Sequence, residues 1–189
     1  MSFSFNKQIE EELVRKIALG DQRAFEGLYR LFYKRLCQFA FLFLHSKELS
    51  EEAVSDVFFN VWMKREQLFR VRNICSYLYS AVRNQAIDYL RTKTIQPQSD
   101  INVYELEIEC ANLTPDNIIE NEQFREHMQQ AIDLLPERCR MIARMHFNDQ
   151  LQYKEIAEIL DISRKTVEAQ IAIAIRKVNE TFKKNRWNQ

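Results

Sequence analysis

The stretch Leu151–Val178, LQYKEIAEILDISRKTVEAQIAIAIRKV, decides the fold. Tyr153, Ile156, Ala157 and Leu160 recur at the three- and four-residue spacing of a short amphipathic helix. Asp161-Ile162-Ser163 breaks that pattern, offering one apolar residue to bury and a cap for the next helix. That second helix places Val167, Ile171, Ala174, Ile175 and Val178 on one face. Two helices joined by a tight turn have the form of a DNA-binding helix-turn-helix. The opposite face of the second helix carries Lys165, Ala169, Ala172 and Arg176, flanked by Glu168, with Arg164 at the helix start. Small alanines let a helix approach a groove closely, and basic ends supply phosphate contacts. Glu168 can accept a hydrogen bond from a cytosine amino group. An ordinary helical hairpin with a solvated charged face fits the same pattern. Ile173, at the edge of that face, is left without an assigned neighbour.

The rest of the chain is also helical in pattern. It has 189 residues, 46% of them apolar and 29% charged, with only two glycines and three prolines. That length suits one large or two small domains, and that scarcity of turn formers favours helices. From Asp21, a plausible cap, to Leu44, the residues Phe25, Leu28, Tyr29, Phe32, Leu36, Phe39, Ala40 and Phe43 keep helical period. A second helix is expected to open at Ser50 and run to Arg65, with Ala53, Val54, Val57, Val61 and, beyond it, Leu68 on one face. A basic connection, Arg70 to Arg72, leads to a third over about 74–90, with Cys75, Leu78, Val82, Ala86 and Tyr89 inward. Periodicity stops over 92–116, where Pro97, Pro115 and the acidic Glu105, Glu107 and Glu109 read as a partly disordered linker. Helices are expected again over about 117–134 and from Pro136, read as a first-turn proline.

Formal net charge is zero, but it is unevenly spread. Residues 64–93 carry seven basic and two acidic side chains, residues 98–126 one basic and eight acidic, and residues 152–189 eight basic and five acidic. Two basic blocks flank an acidic one, the asymmetry expected where separate parts of a chain meet nucleic acid. Cys37, Cys75, Cys110 and Cys139, with His45, His127 and His146, are too scattered for metal-ligand spacing, so neither metal nor cofactor is expected. No apolar run reaches membrane-spanning length, and Met1 to Glu12 lacks the form of a signal peptide, so a cytoplasmic protein is expected.

Two helical faces stand out. On the helix over 50–65, Phe59 lies nearly opposite Val57, with Asp56, Trp62 and Met63 nearby. A helix apolar around its circumference is buried on both sides, either centrally in its own domain or against a partner. On the third helix the outward face carries Tyr77, Ser80, Asn84, Asp88 and Arg91, with Arg83 on the flank and Arg70 and Arg72 before it. Aromatic and amide groups among basic ones suit melted DNA, whose bases stack and flip. A merely solvated face has the same composition.

Together these segments resemble the extracytoplasmic-function branch of the sigma-70 family, over roughly 10–94 and 117–182. Ala24-Phe25-Glu26-Gly27-Leu28-Tyr29 resembles the family's first helix. Ala53 to Trp62 is similar by residue type to its polymerase-binding helix. Ser76 to Arg91, SYLYSAVRNQAIDYLR, resembles "W-L-x-x-I-A-R-N-x-A-I-D-x-L-R" with Tyr77 in place of Trp. Leu135-Pro136-Glu137-Arg138-Cys139-Arg140 resembles "L-P-x-x-x-R". Tyr153-Lys154-Glu155-Ile156-Ala157, followed by Lys165-Thr166-Val167-Glu168, resembles "S-Y-x-E-I-A … G-T-V-x-S", with Lys165, Ala169 and Gln170 as departures that bear on promoter preference.

The resemblance implies an all-α protein of two small helical domains, 8–93 and 117–189, joined by a flexible acidic linker, 94–116. It implies binding of core RNA polymerase through Asp56, Phe59, Trp62 and Met63. Capture of a melted −10 element would fall to Tyr77, Arg83, Asn84, Asp88 and Arg91, with the loop Phe69 to Asn73. Readout of a −35 element would fall to Arg164, Lys165, Thr166, Glu168, Ala169 and Arg176. It also implies control by an anti-sigma factor, a partner that is often membrane-anchored. Three other classes compete. A regulator acting without polymerase needs a receiver domain, and 21–91 shows no βα alternation. An enzyme needs a phosphate loop, metal spacing or nucleophile elbow, none of which is found. A helical adaptor would leave the basic faces idle.

Overall fold

The computed structural model describes residues 7–92 and 132–186, with side chains over 11–92 and 132–180. The expected acidic linker and most of the helix expected over 117–134 lie outside the described residues. The described residues are helical, with no strand among them. The chain divides into two compact units, Met1–Ile101 and Asn102–Gln189.

The first unit is built from α1 (Lys7–Ala18), α2 (Gln22–Leu44), α3 (Lys47–Met63), a 3-10 turn (Arg65–Arg70) and α4 (Ile74–Thr92). α1 was not read from the sequence. It buries a narrow face, Val14, Ile17 and Ala18, against the 3-10 turn and α2. Gly20, at φ +91°, ends it in a conformation that favours glycine. Asp21 then caps α2, its carboxylate accepting from the amides of Arg23 (2.9 Å) and Ala24 (3.1 Å). α2 buries Leu28, Phe32, Leu36, Phe39, Ala40 and Leu44 as one stripe. Phe39 meets Tyr79 of α4 edge-on, centroids 5.0 Å apart.

The start of α3 differs from expectation. Its cap is Ser46, whose hydroxyl accepts from the Leu49 amide, and the helix begins at Lys47 rather than Ser50. Ser50 is buried within the helix, and its hydroxyl donates to the Ser46 carbonyl at 2.6 Å. Both serines can satisfy a helix end; burial of Ser50 leaves the role to Ser46. α3 ends at Met63 rather than Arg65, and the 3-10 turn puts Leu68 into the core. Asn73 caps α4 by accepting from the Ser76 amide at 3.0 Å. Cys75, Leu78, Val82, Ala86 and Tyr89 of α4 are buried.

The second unit contains α5 (Glu137–Phe147), α6 (Tyr153–Leu160) and α7 (Arg164–Arg186). Pro136 is the cap of α5 rather than its first residue. Arg140 reaches back to donate twice to the Leu135 carbonyl, at 2.8 and 3.2 Å, which gives the L-P-x-x-x-R spacing a structural cause. Gln152 and Glu155 form a capping box on α6. Ile159 is buried there, whereas Leu160, the expected core residue, is half-buried. Asp161, at φ +57°, reverses the chain, and Ser163 caps α7 by accepting from the Thr166 amide at 3.0 Å. Val167, Ile171, Ala174 and Val178 are buried. Ile173 packs against the cluster of Ile132, Leu135, Cys139, Ala143, Ala174 and Val178, which accounts for its place beside an otherwise polar face.

Candidate nucleic-acid and polymerase interface

α7 carries its polar face opposite that core. Lys165 and Arg176 are exposed, and Ala169 and Ala172 are half-buried between them. Thr166 is half-buried, its hydroxyl 2.8 Å from that of Ser163, so it serves the cap. Arg164 and Glu168 are not independent: the guanidinium meets the carboxylate at 2.9 Å, one turn apart. Burial, with Glu168 second, pushes the nearby Tyr153 hydroxyl above its ordinary pKa.

α4 presents Tyr77, Asn84, Asp88 and Arg91 outward, one or two turns apart along a single stripe. Asp88 and Arg91 approach to 3.9 Å, both well exposed. Arg83 is half-buried on the flank. Before α4, Phe69 projects with 59% of its surface exposed. It borders a groove of about 160 Å³ that α1 shares through Glu11, Val14 and Arg15, facing Leu68, Val71 and Arg72. Sequence reasoning missed the α1 wall of this groove. Its signal was the spacing of Val14, Ile17 and Ala18.

α3 separates the four residues grouped on it from the sequence. Phe59 and Met63, one turn apart, are 63% and 60% exposed. Trp62 turns inward, its ring 5.0 Å from that of Phe25, with the Arg65 guanidinium 5.0 Å above it. Asp56 is half-buried and accepts from the Tyr89 hydroxyl at 2.7 Å. Among the described residues there is no group of three or more potential metal ligands, and no helix is long and apolar enough to cross a membrane.

An all-helical unit that leaves Phe59, Met63 and Phe69 outside, and a helix-turn-helix in a second unit, fit the class of DNA-binding proteins with a protein-docking surface. Family models place it more closely: residues 28–95 match sigma-70 region 2 and residues 125–178 match sigma-70 region 4, together well over half of the chain. The chain belongs to the sigma-70 family and is an extracytoplasmic-function sigma factor, a transcription initiation factor rather than an enzyme. It is 24% identical over 165 residues to the ECF RNA polymerase sigma factor SigW of Bacillus subtilis (strain 168), covering 84% of this chain and 88% of that one. It is 26% identical over 171 residues to the ECF RNA polymerase sigma-E factor of Escherichia coli (strain K12), covering 86% and 88%. A solved structure of CnrH in complex with the cytosolic domain of CnrY is similar at TM-score 0.49 and 19% identity, over 92% of this chain and 96% of that one.

Proposed function

We propose a division of labour for this sigma factor among three helices. α3 docks on core RNA polymerase through Phe59 and Met63, with Trp62 and Asp56 holding the helix from behind. The outward stripe of α4, Tyr77, Asn84, Asp88 and Arg91 with Arg83 beside it, captures the melted −10 element together with the Phe69–Asn73 loop. α7 enters the major groove at the −35 element. There Lys165, Arg164 and Arg176 meet phosphates, Ala169 allows close approach, and Glu168 reads a base edge once Arg164 turns to the backbone. The Thr166 hydroxyl orders the start of that helix. Residues 8–93 and 117–189 are the units that do this work, with 94–116 an acidic connection between them.

The observation that carries the reading is the exposure of Phe59 and Met63 on a helix whose other large apolar side chains are buried or half-buried. Apolar side chains of that size, adjacent on one turn, fit a protein partner. An anti-sigma factor that holds the protein inactive would cover the same turn, and the site of action is the cytoplasm, where promoters are. The test is run-off transcription with sigma-free core polymerase and a pool of promoter fragments. Discrete initiation that requires this protein supports the assignment and supplies the promoter sequence. Core binding without initiation on any fragment counts against the α4 and α7 roles; no core binding counts against α3.

A further inference from the structure

The contact between α3 and α4 contains a hydrogen bond that neither the docking nor the DNA surface uses. Tyr89 is 8% exposed, and its hydroxyl donates to Asp56 at 2.7 Å, the length of a charge-assisted bond. Gln85, one turn earlier on α4, stands 3.4 Å from the same carboxylate oxygen, a long and weak contact. Glu52, one turn before Asp56, is a second, weaker hydrogen-bond acceptor beside that hydroxyl, so burial first and then the two carboxylates hold the phenol well above its ordinary pKa.

The place of this bond on each helix matters. After Val82, the buried side chains of α4 among the described residues are Ala86 and Tyr89, and alanine offers a single methyl group. With Ile87 and Leu90 half-buried, Tyr89 is the largest fully inward anchor of the C-terminal half of α4, continuing the stripe of Leu78 and Val82. That half carries Asn84, Asp88 and Arg91. On α3, Asp56 lies one turn before Phe59, beside the docking surface rather than in it.

We propose that Asp56 is a positioning residue rather than a polymerase contact: through the Tyr89 hydroxyl it fixes the phase of the strand-capturing half of α4 against the docking helix α3. The inference rests on the roles proposed above for α3 and α4. Docking on polymerase sets α3; the Asp56–Tyr89 bond passes that orientation to Asn84, Asp88 and Arg91. The ring of Tyr89 supplies burial, and its hydroxyl supplies direction, because a hydrogen bond is angular where apolar packing is not.

Three variants test this: Tyr89→Phe, Asp56→Ala and Asp56→Asn, whose amide oxygen still accepts from Tyr89. Each is measured for core affinity, for melting temperature, and for open-complex formation on a duplex promoter with a fluorescent base in the −10 element. Tyr89→Phe and Asp56→Ala are expected to keep core affinity within about twofold and to slow open-complex formation about fivefold. Their double variant should be no slower than either alone, and Asp56→Asn should recover most of the rate. Loss of core affinity in both Asp56 variants, with Tyr89→Phe normal, overturns the proposal in favour of direct contact. Rates that return to wild type at a temperature where every variant is fully folded also overturn it. Phe59→Ala measured alongside reports on the docking reading itself: core affinity retained there refutes the α3 surface, while the Tyr89→Phe rate is read separately.

Discussion

Phe58 and Phe59 are adjacent in sequence, and the structure gives them opposite surroundings. Phe58 is 2% exposed, its ring 4.8 Å from that of Tyr29 and 6.1 Å edge-on to that of Phe25. Phe59 is 63% exposed. Phe58→Ala leaves a hole in the core and should cost about 3–5 kcal/mol of stability. Phe59→Ala removes nothing buried in the free protein and should shift stability by less than about 0.5 kcal/mol. On the docking role proposed for α3, its effect falls on polymerase binding. A phenylalanine exposes roughly 200 Å² in full, of which 63% remains here, and alanine retains about a third of that. The difference, about 80 Å² at roughly 25 cal/mol per Å², is about 2 kcal/mol, or roughly thirtyfold in affinity for core polymerase. Titration of labelled protein against core polymerase, with a thermal melt of each variant, separates the two effects. A Phe59→Ala protein that melts as low as Phe58→Ala, or binds core as tightly as wild type, refutes the reasoning.

Three further outcomes rest on named side chains. Lys165→Ala with Arg176→Ala should weaken binding to a −35 fragment without changing the melting temperature. The slope of log affinity against log salt should fall by about one for each phosphate no longer neutralised; an unchanged slope rules out those phosphate contacts. Asp21→Ala removes both amide bonds at the α1–α2 junction and should cost about 1 kcal/mol, roughly 5 °C in the melt followed by circular dichroism. A melt equal to wild type would show the cap to be idle. Burial pushes the Cys139 thiol up to about 11, and its sulfur donates to the Gln170 carbonyl. It should escape alkylation at pH 8 in the native protein and react once urea unfolds it, which mass mapping reads directly; native labelling contradicts its place in the core.

Much of the fold was legible because long amphipathic helices advertise their period. α2, α4 and the α6–α7 pair emerge from apolar spacing alone, and Asp21 and Ser163 cap where their chemistry suggests. The errors lie at boundaries where two residues could serve. Ser46 and Ser50 both precede apolar runs, and only burial decides between them. Ile159 and Leu160 are adjacent and equally apolar, and only the packed structure shows that Ile159 is the one buried. The site was less legible for a related reason. A helical wheel gives the angle of Asp56 and Trp62, but not that Tyr89, thirty-three residues on, reaches the first, or that Phe25 covers the second. Long-range partners carry no local signature. α1 was missed because, among its described side chains, only Val14, Ile17 and Ala18 are buried, too short a run to set a period.

The packing of Ile173 beside Ala174 and Val178 has a consequence for how such a protein can diverge. α7 is held by Val167, Ile171, Ala174 and Val178 on its buried face, while Lys165, Ala169, Ala172 and Arg176 lie off that face. Substitutions at the exposed Lys165 and Arg176 should change stability by less than about 0.5 kcal/mol. The helix therefore keeps one fixed angle of approach while its outer letters are free to vary. With α7 reading the −35 element as proposed, new promoter preferences would arise one residue at a time, through intermediates that remain folded.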